Sequence, residues 1–298
     1  MEEGCILPCD GKDQEIIEKT LKKGRNYQVD PELLQAVYRI ETTSRSREEE
    51  FDKIQHNREK ENELIERFAG FILIKRIIES VSELEREQEV KMEKAGAKFV
   101  GNTPDGKGAS TIVETGEIRI GMYEEDGKTL KPPEKLYADY VWERTHGINR
   151  HKIIKIKNQA RKGEIDKILY VHQMLIFEAK AAINRYKIKK DLENKLKNGT
   201  IKDQYGIISS CIKYLEDKEV ERVILKSKDD PKMLEENVAQ VLWDHDVAGT
   251  NMVAWQFYSL QYDALRSEGK RENNLKRKIK ETTKNHERKI PKNNQKIK

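Results

Sequence analysis

Two residue types that bind metal ions or exchange protons stand three positions apart in residues 141–151, which read VWERTHGINRH. Glu143 and His146 fall on the same face of a helix, because a helix brings positions three and four apart close together. A second carboxylate, Glu178, follows 32 residues beyond His146 in the stretch LIFEAKAAINRY. An imidazole and two carboxylates are groups that hold zinc or accept a proton from water. These three residues are therefore the first candidate site.

The order of elements around these residues resembles that of the zincins, a family of zinc metallopeptidases. A strand-like stretch, GEIRIGMY, precedes the helix-like EKLYADYVWERTHG, and the stretch with Glu178 follows. The resemblance implies zinc as the cofactor, with His146 and Glu178 as ligands and Glu143 as the group that polarises a metal-bound water. It also implies an antiparallel strand at a sheet edge, along which a peptide lies. Zincins of the glutamate type occur among bacterial effector and toxin domains.

The sequence departs from the family at Trp142, which stands where H-E-x-x-H has its first histidine. An indole does not bind zinc, and His146 with Glu178 falls short of the three or four protein groups that zinc usually takes. His151 and His172 are candidates for an additional ligand, although neither follows the zincin spacing. The resemblance thus predicts a divergent domain, of a bacterial effector or a mobile-element protein, whose peptidase activity is weakened or lost.

A second enzymatic interpretation rests on Glu41 in the stretch VDPELLQAVYRIETTSRS. This stretch resembles the helix of lytic transglycosylases, in which a glutamate at the helix end protonates the glycosidic oxygen. The turn that follows this helix in the family is missing here, and a run of Arg and Glu takes its place. A helix capped by Asp30 explains the stretch equally well.

Composition predicts a mainly helical α+β fold. Charged residues make up 37% of the 298 residues, and Pro and Gly are few, which is typical of long solvated helices. Helical patterns extend over residues 46–94, 134–145, 164–197, 204–217, 231–247 and 252–266. Glycines concentrate between residues 95 and 130, where we expect a small antiparallel sheet near residues 97–124. The predicted parts are residues 1–94 (helical), 95–265 (α+β) and 266–298 (a disordered basic tail).

The charge distribution suggests a non-enzymatic function. Residues 266–298 contain 13 Lys and Arg against 4 Asp and Glu, a net charge of +9 in a chain whose total is +5, so the remainder carries −4. We therefore also consider a helical binding or scaffold protein, with a protein or peptide partner and a tail that contacts nucleic acid or another anion without sequence preference. We expect no membrane span, since no apolar run is long enough. Three cysteines and an acidic first segment predict a cytoplasmic protein, or one exported without a cleavable signal.

Overall fold

The computed structural model describes residues 47–289 except 105, 204, 228, 229, 231, 232 and 248–251, with side chains described between residues 61 and 280. These residues form a mainly helical α+β fold with a small sheet, which confirms the predicted fold class. In chain order the elements are α1 (Arg47–Val81), α2 (Glu83–Lys94), β1 (Lys98–Gly101), β2 (Ala109–Ile112), β3 (Glu117–Ile120), α3 (Pro133–Lys162), α4 (Lys167–Lys197), α5 (Ile207–Leu215), α6 (Lys218–Lys226), α7 (Leu234–Leu242) and α8 (Ala254–Lys289). No helix in this part of the chain is long and apolar enough to cross a membrane.

The three strands form a mixed sheet in the order β1-β3-β2. β2 and β3 are an antiparallel hairpin, whereas β1 runs parallel to β3. The prediction of an antiparallel sheet is therefore wrong for one of the two pairings. The sequence places a strand before a hairpin but does not show which edge of the hairpin that strand joins. Had β1 paired with β2, the three strands would have formed an antiparallel meander.

The long helical stretch predicted from residue 46 to residue 94 is two helices that meet at Ser82. The Ser82 hydroxyl accepts a hydrogen bond from the backbone N–H of Glu85 at 3.2 Å, which caps the N-terminus of α2. The same hydroxyl donates to Asp191 of α4 at 2.6 Å. The break therefore anchors the start of α2 to another helix.

Helix α8 corrects the prediction for the C-terminal tail. The prediction of a disordered segment from residue 266 is wrong up to residue 289, because the helix continues to Lys289. Lys, Arg and Glu are good helix formers, and no proline interrupts the stretch before residue 291. Residues 290–298 lie outside the described residues.

Helix α3 is the central element and is much longer than the predicted helix at residues 134–145. It begins with Pro133 in its first turn and ends at Gly163, whose φ of 79° lets the chain leave the helix. Gly147 lies inside the helix and not at its end. A Cβ there would stand 3.0 Å from the Ala97 Cβ and 3.1 Å from the Ile118 Cδ1. The glycine thus lets α3 approach the sheet closely.

Two hydrophobic clusters share α3 and α4. The first joins α1, α2, the sheet and α5 to the N-terminal half of α3 and the C-terminal half of α4. The second joins α6, α7 and α8 to the other halves of the same two helices. The first cluster crosses the boundary predicted between residues 94 and 95, so α1 and α2 share a core with the sheet that follows them.

A buried arginine ties α2 to α3. Arg144 is fully buried and forms a two-pronged pair with the equally buried Glu85, with N–O distances of 2.6 and 2.8 Å. Its Nη1 also donates to Glu89 at 2.5 Å, and Glu89 accepts from the Tyr140 hydroxyl at 2.8 Å. Burial lowers the pKa of Arg144, but Glu85 outweighs burial and the pKa is raised well above its ordinary value. The guanidinium is therefore charged.

We expect Arg144→Met to destabilise the protein by about 3–5 kcal/mol, because it leaves the Glu85 carboxylate buried without its partner. The double variant with Glu85→Met should recover a large part of this loss, since both charges are then gone. Denaturation by guanidinium chloride of the wild type and the two variants measures the differences. A loss below about 1 kcal/mol in the single variant would show that the pair does not hold α2 in place.

Candidate functional site

The structure brings together the three residues singled out by their spacing. His146 and Glu143 of α3 lie one helical turn apart, with 3.3 Å between the His146 Nδ1 and the Glu143 Oε2. Glu178 of α4 stands on the other side of the ring, with 3.2 Å between the His146 Nε2 and the Glu178 Oε2. The three side chains are only 12–15% exposed. We call these residues the Glu–His–Glu cluster.

Further hydrogen bonds hold each carboxylate of the cluster in place. The Trp142 Nε1 donates to the Glu178 Oε2 at 2.7 Å, and the Tyr258 hydroxyl of α8 donates to the Glu178 Oε1. The Thr111 hydroxyl of β2 lies 2.8 Å from the Glu143 Oε2 and also 2.8 Å from its carbonyl oxygen. The cluster therefore connects α3, α4, α8 and an edge strand of the sheet.

The electrostatics favour a charged imidazolium between two carboxylates. Burial lowers the pKa of His146, but the charges of Glu178 and Glu143 outweigh burial, so the pKa is raised well above its ordinary value. Burial raises the pKa of Glu178, but His146 and the hydrogen bonds from Tyr258 and Trp142 lower it by more. The pKa of Glu178 is therefore below its ordinary value. Burial and the neighbouring Glu178 raise the pKa of Tyr258 well above its usual range, which keeps it a donor.

The zinc site implied by the zincin resemblance does not fit this arrangement. A metal ion takes a lone pair from a neutral imidazole nitrogen, whereas here both ring nitrogens face carboxylates and the raised pKa of His146 favours the protonated ring. The Glu178 oxygen that faces His146 also accepts from the indole N–H of Trp142, which is a donor only. Over the part of the chain that the structure describes, no group of three or more His, Cys, Asp and Glu side chains is placed to hold a metal ion.

The other candidate residues do not join the cluster. His151 is exposed on α3. His172 lies on α4 and pairs with Glu236 of α7, with 2.6 Å between the His172 Nε2 and the Glu236 Oε2. Glu41 lies outside the described residues, as do Asp30 and the predicted helix around them.

Sequence reasoning missed the donors that complete the cluster. From its position in the motif, Trp142 stands only for an absent ligand, whereas in the structure its indole N–H is a direct partner of Glu178. Tyr258 comes from a helix 80 residues beyond Glu178, and no spacing rule links the two. The guanidinium of Arg185 lies 5.4 Å from the Trp142 ring centre, where it stacks on the indole. A small cavity of about 10 Å³ is lined by these two side chains and by residues of α4, α5 and α6.

Comparison of the chain with protein-family models, with curated proteins and with solved structures finds no match.

We expect the stability that His146 contributes to depend on pH in a defined direction. Because its pKa is higher in the folded than in the unfolded chain, the contribution is full below about pH 6.5 and is lost as the pH rises through the folded pKa. The pKa of Glu178 is lowered in the folded chain, so Glu178 contributes to stability above its ordinary pKa of 4.5. This contribution is lost as the pH falls through the folded pKa of Glu178. The free energies of unfolding of the wild type and His146→Gln, measured by urea denaturation, should therefore differ most between pH 4.5 and about pH 6.5.

The matched control is Glu178→Gln, which removes the stronger of the two charges facing His146 and keeps the size of the side chain. NMR titration of the His146 ring protons should show a lower pKa in this variant than in the wild type. An unchanged His146 pKa would contradict the pairing.

Proposed function

We propose that the chain is a zincin-like protein that binds extended peptide segments and does not cleave them. The observation that carries the proposal is the convergence of Trp142 and His146 on one carboxylate oxygen of Glu178, at 2.7 and 3.2 Å. These side chains stand four residues apart on one helix, and Glu178 comes from a later helix. This is the order of the three zincin ligands, with hydrogen bonds in place of the metal.

The peptide part of the proposal rests on strand β2. Among the described residues β2 pairs with β3 alone, so its other edge is an edge of the sheet. Gly121 donates its N–H to the Gly108 carbonyl at 2.7 Å, and this bond continues the register in which Ala109 faces Ile120. Since bonded pairs alternate along an antiparallel ladder, the backbone groups of Ala109 and Thr111 point away from β3.

An outward-facing row of backbone groups is what an added strand requires. Thr111, whose backbone faces outward, also contacts Glu143 through its hydroxyl. A peptide on this edge would therefore lie beside the Glu–His–Glu cluster. The cluster itself favours binding over hydrolysis, because the charged His146 neither accepts a proton nor presents a lone pair to a metal.

We expect Trp142→His to create a zinc site. In the five-membered ring of an indole, Nε1 has the same position relative to Cγ as Nε2 has in an imidazole, so the new histidine brings a ligand atom to the place of the Trp142 donor. Three protein ligands then suffice to displace the proton from His146. Zinc content by plasma mass spectrometry should approach one ion per chain in this variant, with a zinc-dependent rise in melting temperature.

Trp142→Phe is the matched control, because it removes the indole N–H without supplying a ligand, and it should gain no zinc. Adding His146→Ala to Trp142→His should abolish the gain. If Trp142→His folds and takes up no zinc, the zincin-like interpretation fails. If the wild type itself binds zinc stoichiometrically, the proposal that hydrogen bonds have replaced the metal is wrong.

We expect Thr111→Pro to weaken peptide binding, because proline removes the outward N–H while leaving the bonds between β2 and β3 intact. Thr111→Val is the control, since it loses the hydroxyl but keeps the N–H. The probe is fluorescently labelled, reduced and carboxymethylated α-lactalbumin, an unfolded polypeptide, and binding is measured by anisotropy.

The wild type and Thr111→Val should bind this probe without cleaving it, and Thr111→Pro should bind at least about threefold more weakly. Equal binding by the two variants would exclude the β2 edge as the binding element. Fragments of the probe on a gel would show that the protein is a peptidase.

A further inference from the structure

Beyond Gly269, helix α8 leaves the body of the protein. Every residue from 270 to 280 is exposed, so no side chain of this segment is buried against the part of the protein that the structure describes. It contains six basic residues and one acid, Glu272, which gives a net charge of +5. The basic residues are Lys270, Arg271, Lys276, Arg277, Lys278 and Lys280. We call residues 270–280 the basic segment of α8.

The basic segment begins where α8 crosses the last turn of α3. Gly269 packs so closely that a Cβ at this position would stand 2.0 Å from the Arg161 carbonyl oxygen. The Arg266 Nη1 donates to the same oxygen at 3.3 Å, and Arg161 pairs with Glu268 at 3.4 Å. These contacts fix the direction in which the segment leaves the body.

The C-terminal half of α3, at the base of this segment, is also basic. Residues 147–163 contain no Asp or Glu and six Lys and Arg. Lys152, Lys155 and Lys162 are exposed, as is Asn158 between them. Their spacing of three, three and four residues places all four on one face of the helix. Two helices that cross at Arg161 thus contribute positive charge to the same end of the molecule.

We propose that this end of the molecule binds double-stranded DNA through its phosphates, with the basic segment of α8 as the main contact. The charge complements a polyanion, and binding releases the counterions condensed on the duplex. An isolated α-helix of this kind fits the width of the DNA major groove.

The residue types on this surface favour a duplex over the other polyanions. Neither residues 147–163 nor residues 267–280 contain Phe, Tyr or Trp, so the surface has no aromatic ring on which the bases of a single strand stack. The basic segment has Leu275 and Ile279 as its only large apolar residues, which is too little for an apolar face buried in a membrane surface. This proposal is independent of the Glu–His–Glu cluster.

The test compares two triple charge reversals in the full chain. One variant carries Lys270→Glu, Arg271→Glu and Lys276→Glu in the basic segment. The matched control carries Lys218→Glu, Arg222→Glu and Lys226→Glu on α6, where these exposed residues form a separate basic stripe. Both variants change the net charge equally. Affinity for a fluorescent DNA duplex of about 24 base pairs is measured between about 50 and 200 mM salt.

The α8 variant should bind at least about tenfold more weakly than the wild type, and the slope of log affinity against log salt should fall by about two to three. The α6 control should stay within about twofold of the wild type. Equal losses in both variants would overturn the proposal, because net charge alone would then explain binding. Binding to phosphatidylserine vesicles or single-stranded DNA in preference to the duplex would overturn it as well.

Discussion

Burial of charged side chains on both sides of one helix is the constraint on which the structure depends. Arg144 and His146 stand two positions apart on α3, and each meets carboxylates from a different helix. A buried charge without a partner costs several kcal/mol, so α2 and α4 have little freedom to move relative to α3. The two pairs thereby specify how the helices pack, beyond what apolar contacts alone require.

The same constraint explains why the cluster resembles a catalytic site and has the electrostatics of a structural one. Catalytic acids and bases commonly have pKa values near the working pH, so that an imidazole can both accept and release a proton. In this protein both nitrogens of His146 are engaged, and Glu178 accepts from Trp142 and Tyr258 as well. All of these contacts favour one protonation state of the His146 ring. The proposed binding of a peptide at the β2 edge requires no change of charge at this cluster.

Part of the candidate site was predictable from the sequence. The spacing of Glu143 and His146 fixes their common face once a helix is granted, and Glu178 was expected from the order of elements. The position of His151 off the cluster follows from its spacing, whereas the pairing of His172 was not predictable. His151 lies five positions beyond His146 and so faces another direction, and His172 meets Glu236 only because α7 packs beside α4.

The helical character of the chain and the position of the sheet were predictable from the sequence. So was the common face of α3 on which Glu143 and His146 lie. These follow from apolar periodicity, capping residues and glycine content, which act over a few residues. Tertiary structure alone decided that β1 joins the β3 edge, that Gly147 lies inside a helix and that Trp142 donates to Glu178. These contacts join residues far apart in the chain, so they depend on how whole elements pack, and local patterns carry no information about that.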